Sequence, residues 1–297
     1  MKKLLAVAVV CFSLVLLAAC GSGSEEGSGS GSDGGESKLA KLKESGTVTV
    51  GFANEEPYAY QENGELKGAA VDIAQAAFKE MGIENVKSKL ADFSQLIPGL
   101  NAGKFDVITA GMAINPDRCK NADFAEPSMM YGEGLVVQKG NPMDLHSYKD
   151  IAEKGASVSI MQGATEIEYV QKMGVKESQI QTAADIPATF SAVASGRADA
   201  TTGTEMTVKM ALESSGNDKL MFVEDFKQPE IEGIPSYGAA AFHKDADELR
   251  KAYNEALAKL KENGTVKELL EKNGFSAENN SVPEDITAEG VCSGEQY

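Results

Sequence analysis

One pattern occurs twice in this chain and narrows its fold more than any other feature. Gly103-Lys104-Phe105-Asp106-Val107-Ile108-Thr109-Ala110-Gly111 returns in outline as Gly196-Arg197-Ala198-Asp199-Ala200-Thr201-Thr202-Gly203. Each copy follows an amphipathic helical segment, FSQLIPGLNA (93–102) before the first and PATFSAVAS (187–195) before the second. In both, a glycine stands where a helix C-cap favours a left-handed residue. A base sits at the last turn, and Asp opens a short strand. The duplication predicts two similarly built α/β lobes that present strand ends to a shared cleft. In the first copy, Phe105–Ala110 reads as a buried strand that Gly111 stops, where the missing side chain lets another group approach the backbone. Arg118 follows Asn115-Pro116-Asp117. A guanidinium beyond the carboxyl end of a strand suits a carboxylate, because its fork makes two parallel charge-assisted bonds. An ordinary surface arginine is the plainer alternative, and the second copy of the motif favours the ligand.

The rest of the chain fills in two lobes. Strands are expected at 47–52, 86–90 and 105–110 in the first and at 157–161, 179–183, 199–202 and 221–223 in the second. Helices are expected over 68–82, 94–102, 147–154, about 165–174, 187–195, 206–212, 246–262 and 265–272. The apolar runs 130–137 and 237–242 read as strands that cross between lobes, making a paired hinge. Residues 38–136 with 238–297 then form lobe one, and residues 137–237 form lobe two.

Residues 1–19 read as a signal peptide: Lys2 and Lys3 precede an apolar run too short to span a bilayer. Leu17-Ala18-Ala19-Cys20 resembles a bacterial lipobox, which implies cleavage before Cys20 and a lipid on its sulfur; a plain secretory signal is the alternative. Residues 21–37 (GSGSEEGSGSGSDGGES) contain no apolar side chain and read, with Cys20, as a flexible tether. Long tethers of this kind suggest a Gram-positive lipoprotein held at the outer face of the cell membrane. Removing Lys2 and Lys3 leaves 26 bases against 45 acids, a net charge of −19. That balance argues against nucleic acid, or a membrane surface apart from the anchor, as a partner. Cys11 leaves with the signal, and Cys119 and Cys292 remain as an even pair in an oxidising compartment. They are expected to be bridged, with two free thiols the alternative.

Taken together, LIPGLNAGKFDVITAGMAINPDR (96–118), FAEP (124–127), GRADA (196–200) and the lipoprotein leader resemble the type II periplasmic-type solute-binding proteins, in the polar amino acid group that serves ABC importers. The resemblance covers about residues 47–275. It is closest to the ectoine/hydroxyectoine branch, through NEEPY (54–58), Arg118 followed by Cys, EPS (126–128), KGNP (139–142), LHSY (145–148) and Cys292. It implies two Rossmann-like α/β lobes, a small zwitterionic ligand, ABC permease subunits as partners and a monomer without cofactor. Residue by residue, it implies that Arg118 and Thr165 hold the ligand carboxylate and that Gly111 is a backbone contact. Phe93 and Tyr58 become aromatic walls, and Glu55 faces the cationic group. A helix N-terminus also favours an anion at Thr165.

Two positions depart from the pattern. Thr204 stands where amino acid binders place an Asp for the ammonium group, which argues against an ordinary α-amino acid. Ala113 stands where the ectoine branch has a third aromatic, so an aromatic box lacks one wall unless another residue supplies it. A polar amino acid therefore remains the alternative ligand. The chain has no GxxxxGK[ST], HExxH or GxSxG motif, and His146 and His243 lie far apart, so ATP binding, a zinc site and a serine nucleophile are not expected. A binding protein is expected rather than an enzyme. The enzyme alternative is a cyclohexadienyl dehydratase-like activity on the same fold, with Glu55 in acid–base work; another is a tethered sensor domain.

Overall fold

The computed structural model describes residues 37–296. The signal segment, Cys20 and the tether as far as residue 36 lie outside the described residues. In chain order the strands are β1 (Thr47–Phe52), β2 (Tyr60–Glu62), β3 (Glu65–Lys67), β4 (Asn85–Leu90), β5 (Val107–Ala113), β6 (Asp123–Phe124), β7 (Met129–Tyr131), β8 (Glu133–Gln138), β9 (Val158–Met161), β10 (Ile180–Ala183), β11 (Ala200–Thr204), β12 (Leu220–Phe222) and β13 (Ser236–Phe242). The first sheet has the order β4-β1-β5-β13-β6, with β7 also on β13, and the second has the order β10-β9-β11-β8-β12. Strands β2 and β3 form a separate hairpin around Asn63-Gly64.

The two sheets repeat one plan. In each, three strands run parallel (β4, β1, β5 and β10, β9, β11), and the next strand inward, β13 or β8, is antiparallel. Both faces of each sheet are covered by apolar side chains. Adjacent residues of one strand feed opposite cores: Val107 joins Phe78, Tyr253 and Leu257, while Ile108 joins Leu96, Leu100 and Phe105. On β8, Val137 and Val136 divide in the same way. This period-2 alternation explains why these strands read as continuous apolar runs.

The repeated motif does the same structural job in both sheets. Gly103 and Gly196 take φ values of +67° and +72° after their helices. Asp106 N–H donates to Thr49 O at 2.8 Å, and its Oδ2 accepts from Thr49 N at 2.8 Å. Asp199 makes the matching pair with Ser157, at 2.9 and 2.7 Å. Each Asp thus clamps the start of its strand to the neighbouring parallel strand.

Three expectations need correction. Gly111 does not stop the strand: β5 continues through it to Ala113, and its pairing with β13 shifts register between Ala239 and Ala241. Glycine allows this because it takes φ +59° inside the strand, a conformation that strains any residue with a Cβ. The run 130–137 is not one crossing strand either. It divides at Gly132 into β7 in the first sheet and β8 in the second. Gln228 occupies the break: its side chain accepts from Glu133 N at 2.8 Å and donates to Glu133 O at 2.7 Å. A Cβ on residue 132 would sit 2.7 Å from Gln228 Oε1. The run 237–242 does not cross between the sheets: β13 lies wholly in the first, and the chain returns to it from β12 through residues 223–235.

Cys119 and Cys292 are joined as a disulfide, with Cα atoms 5.7 Å apart. The bond fastens the helix Ala288–Ser293 to the short helix Pro116–Cys119, which carries Arg118. Among the described residues, no helix is long and apolar enough to cross a membrane.

Candidate functional site

A small cavity of about 30 Å³ lies between the two sheets. Glu55, Tyr58, Phe93, Gly111, Ala113, Arg118, Thr165 and Thr204 all line it. The first five come from segments at the carboxyl ends of β1, β4 and β5.

Tyr58 is brought in by two glycines. A Cβ on Gly111 would lie 2.3 Å from Tyr58 Cδ1, and a Cβ on Gly68 would lie 2.3 Å from Tyr58 O. Only backbone without side chains lets the 55–59 loop sink this far, which leaves Tyr58 1% exposed. Its ring meets Tyr131 edge-on at 5.3 Å and Phe275 at 5.2 Å. Tyr58 Oη is buried without a hydrogen-bond partner, so a polar ligand atom is its natural complement.

Arg118 is held from three directions. Asn115 caps its helix, with Oδ1 accepting from Arg118 N at 2.8 Å. Its Nη1 donates to Ala113 O at 2.8 Å, and its Nη2 donates across the cleft to Gly163 O at 3.0 Å. Cζ lies 5.3 Å from the centre of the Phe93 ring, so Phe93 also serves as a stacking surface for the guanidinium. Burial lowers the proton affinity of Arg118, yet arginine stays charged in proteins. Thr165 precedes the helix Glu166–Lys172, and its side chain makes no capping bond.

Glu55 is tied across the cleft as well. Thr204 Oγ1 donates to Thr207 Oγ1 at 2.9 Å, and Thr207 Oγ1 donates to Glu55 Oε1 at 2.8 Å. Thr204 therefore completes a hydroxyl relay to the carboxyl of Glu55. Burial raises the pKa of Glu55 to about 7, against the opposing hydrogen bond from Thr207; the nearby Glu166 adds to the rise and Arg118 offsets part of it.

Sequence reasoning missed several residues here. Tyr131 and Glu166 line the cavity, where Tyr131 supplies a third aromatic ring with Tyr58 and Phe93. Tyr131 Oη donates to Gly111 O at 2.6 Å. Glu133 is 1% exposed, and the neighbouring Glu166 helps hold its carboxyl well above the usual range, after burial itself. Its signal was an acid inside an otherwise apolar run, MYGEGLVV, which a solvent-facing position could not explain. Glu166 resembled an ordinary first-turn acid, which helix electrostatics alone would favour.

Comparison with known proteins agrees with this architecture. The model of the bacterial extracellular solute-binding proteins, family 3, matches residues 48–276. A probable amino-acid ABC transporter periplasmic-binding protein, y4tE, of Sinorhizobium fredii is 39% identical over 260 residues, covering 86% of each chain. The crystal structure of EhuB in complex with hydroxyectoine is 31% identical, with a TM-score of 0.77, over 86% of this chain and 97% of that one. An ancestral arginine-binding protein bound to arginine is 32% identical, with a TM-score of 0.67, over 77% of this chain and 98% of that one. The chain belongs to the bacterial extracellular solute-binding proteins, family 3, and has the type II periplasmic binding protein fold.

Proposed function

We propose that this protein binds a small zwitterionic solute, with ectoine or hydroxyectoine favoured, and delivers it to an ABC importer. The observation that carries the reading is the polarity of the cavity. Arg118 and Thr165 both line the cavity and suit a carboxylate, and the rings of Tyr58, Phe93 and Tyr131 with the carboxyl of Glu55, in the same lining, suit a delocalised positive charge. Tyr131 answers the gap left by Ala113. The likeness to the hydroxyectoine-bound EhuB supports the same ligand class.

A polar amino acid is the second reading, favoured by the names of the amino-acid and arginine-binding relatives and by the acids around the cavity, which could replace the missing Asp at Thr204. A dehydratase-like reaction finds less support. Glu55 has a raised pKa suited to acid–base work, but its carboxyl is engaged by Thr207 from across the cleft.

In this reading the expected boundaries at 136/137 and 237/238 move to Gly132 and the 223–235 return, because β8 belongs to the second sheet and β13 to the first, and the two halves close on the ligand by rocking there. Cys20 carries the lipid that keeps a monomer beside its permease at the cell membrane. Calorimetric titration of the chain from Ser37 onward, one compact unit, tests the ligand. The panel is ectoine, hydroxyectoine, glycine betaine, proline and the polar amino acids. Micromolar or tighter binding of ectoine alone supports the first reading; binding of an α-amino acid instead removes the ectoine assignment.

A further inference from the structure

Two buried carboxyl groups meet on the side of the cavity built from the second sheet. Glu133, the first residue of β8, is 1% exposed, and Glu166, the first residue of the helix Glu166–Lys172, is 3% exposed. Each carboxyl bears on the ionisation of the other. Two ionised carboxylates repel in a dry site, and one proton on the pair removes the repulsion.

Hydrogen-bond counting gives the same result from the opposite side of Glu133. Its Oε2 lies 3.0 Å from Tyr148 Oη, which lies 2.7 Å from Thr202 Oγ1, which lies 2.7 Å from Gly134 O. These three contacts have only the hydroxyl protons of Tyr148 and Thr202 to serve them. The shortfall is made good when Glu133 is a carboxylic acid and donates. Its other oxygen, Oε1, has no amide or hydroxyl donor, the surroundings of a neutral acid rather than of a charge. Glu166 is placed differently: it lines the cavity and faces Arg118 on the first-sheet side. Burial raises both groups, Glu133 much further, while Glu166 is pulled back by its own backbone N–H and by Arg118. The other titratable groups facing the pair are Glu55, Tyr58, Tyr148 and Tyr169.

We propose that the pair holds one proton, on Glu133, so that Glu166 presents a fixed negative charge to the cationic group of the ligand from the second-sheet side of the cavity. Glu133 is then a positioning residue, and Glu166 takes over the work of the Asp that Thr204 lacks. The ligand class follows: a carboxylate for Arg118 and a cationic group that reaches Glu166. This rests on the zwitterion reading above for the ligand, and on the protein alone for the proton.

The test has two arms. Carboxyl-carbon NMR of the ligand-free protein labelled at glutamate, at pH 8, is expected to show one resonance still in the acid form that disappears in Glu133→Gln. Titration with ectoine and with L-arginine is expected to show about a 30-fold or greater loss in Glu166→Gln for whichever probe the wild type binds. Glu133→Ala should weaken binding, and Glu133→Gln, neutral like the acid, should restore it. Wild-type affinity in Glu166→Gln would overturn the anchor and leave the zwitterion reading intact. If the wild type binds neither probe, the choice of ligand fails, and the spectrum decides the proton: both residues ionised at pH 8 overturns the pair, and a persistent Glu133 acid supports it.

Discussion

The two copies of the Gly-base-x-Asp motif build the same scaffold and then part ways at the cavity. Asp106 and Asp199 hold equivalent strands by equivalent bonds, yet the glycines that close the motifs serve different ends. Gly111 has φ +59° and leaves room for the Tyr58 ring, which lines the cavity. Gly203 has no left-handed backbone, and a Cβ there would lie 2.9 Å from Val208 Cγ1 in the core. The first half thus brings rings and a guanidinium to the cleft, and the second brings hydroxyls and a second set of carboxyls. Duplication fixed the frame, and divergence at the strand ends made the site asymmetric.

The sharpest way to break this comparison is to remove the anion contact from each side. Arg118→Ala leaves a buried carboxylate unpaired and should cost about 4 kcal/mol, close to a thousandfold in affinity. Thr165→Ala removes one neutral hydrogen bond and should cost about 1 kcal/mol. Equal losses in calorimetric titration would mean that carboxylate binding is shared evenly and that the asymmetry is wrong.

Next in size is the pH response of Glu55. Its folded pKa of about 7 lies above the ordinary 4.5. Below pH 4.5 both folded and unfolded chains carry the proton, so burial costs nothing. As pH rises toward 7 the unfolded chain ionises first, the folded chain holds more protons and stability falls, by about 3 kcal/mol in all once pH passes 7. Denaturant unfolding of the ligand-free protein across pH 4.5–8 should show this decline, and Glu55→Gln should remove much of it. Glu133 and Glu166 titrate in the same direction, so the difference between wild type and variant isolates Glu55. An unchanged slope would place the Glu55 carboxyl in solvent.

The glycines come third. Gly111→Ala puts a Cβ into a left-handed position and into Tyr58, at 2.3 Å from Cδ1. It should destabilise the protein by about 2–3 kcal/mol and weaken binding as Tyr58 is pushed from its place. Gly203→Ala meets a core methyl that has some freedom to shift, so about 1 kcal/mol of stability with little change in affinity is expected. Matched effects in melting and titration would show that Tyr58 is not positioned by Gly111.

What could be read in the sequence follows from the same physics. Val107 and Ile108, or Val136 and Val137, announce buried strands because both faces of each sheet are covered. Gly103 and Gly196 announce helix ends because their backbone demands it. Arg118, Tyr58 and Thr165 were legible as types suited to their chemistry at strand or helix ends. Tyr131, Thr207, Glu133 and Glu166 were not, because their roles depend on contacts across the cleft. Thr207 reaches Glu55 over a separation of 152 residues, and nothing local to either marks the pairing. Gly111 looked like a strand end because a lone glycine cannot be told from a bulge without its partner strand.

The smallest effect tests whether the scaffold is truly shared. Asp106 and Asp199 each offer Oδ2 to one backbone N–H of the adjacent strand, a charge-assisted bond whose value is set by burial and geometry. Asp106→Asn and Asp199→Asn should each cost about 1 kcal/mol, a shift of a few degrees in melting temperature, and leave affinity unchanged. Their environments are not identical. Lys38 Nζ lies 3.1 Å from Asp106 Oδ1, whereas the Ser157 hydroxyl donates to Asp199 Oδ2 at 2.7 Å. The ion pair is partly solvated and contributes little, so raising the salt should weaken Asp106 only slightly relative to Asp199. A large, salt-sensitive gap between the two variants would mean that the first clamp works through Lys38 rather than through the strand, and the structural equivalence of the two motifs would then hold for the backbone alone.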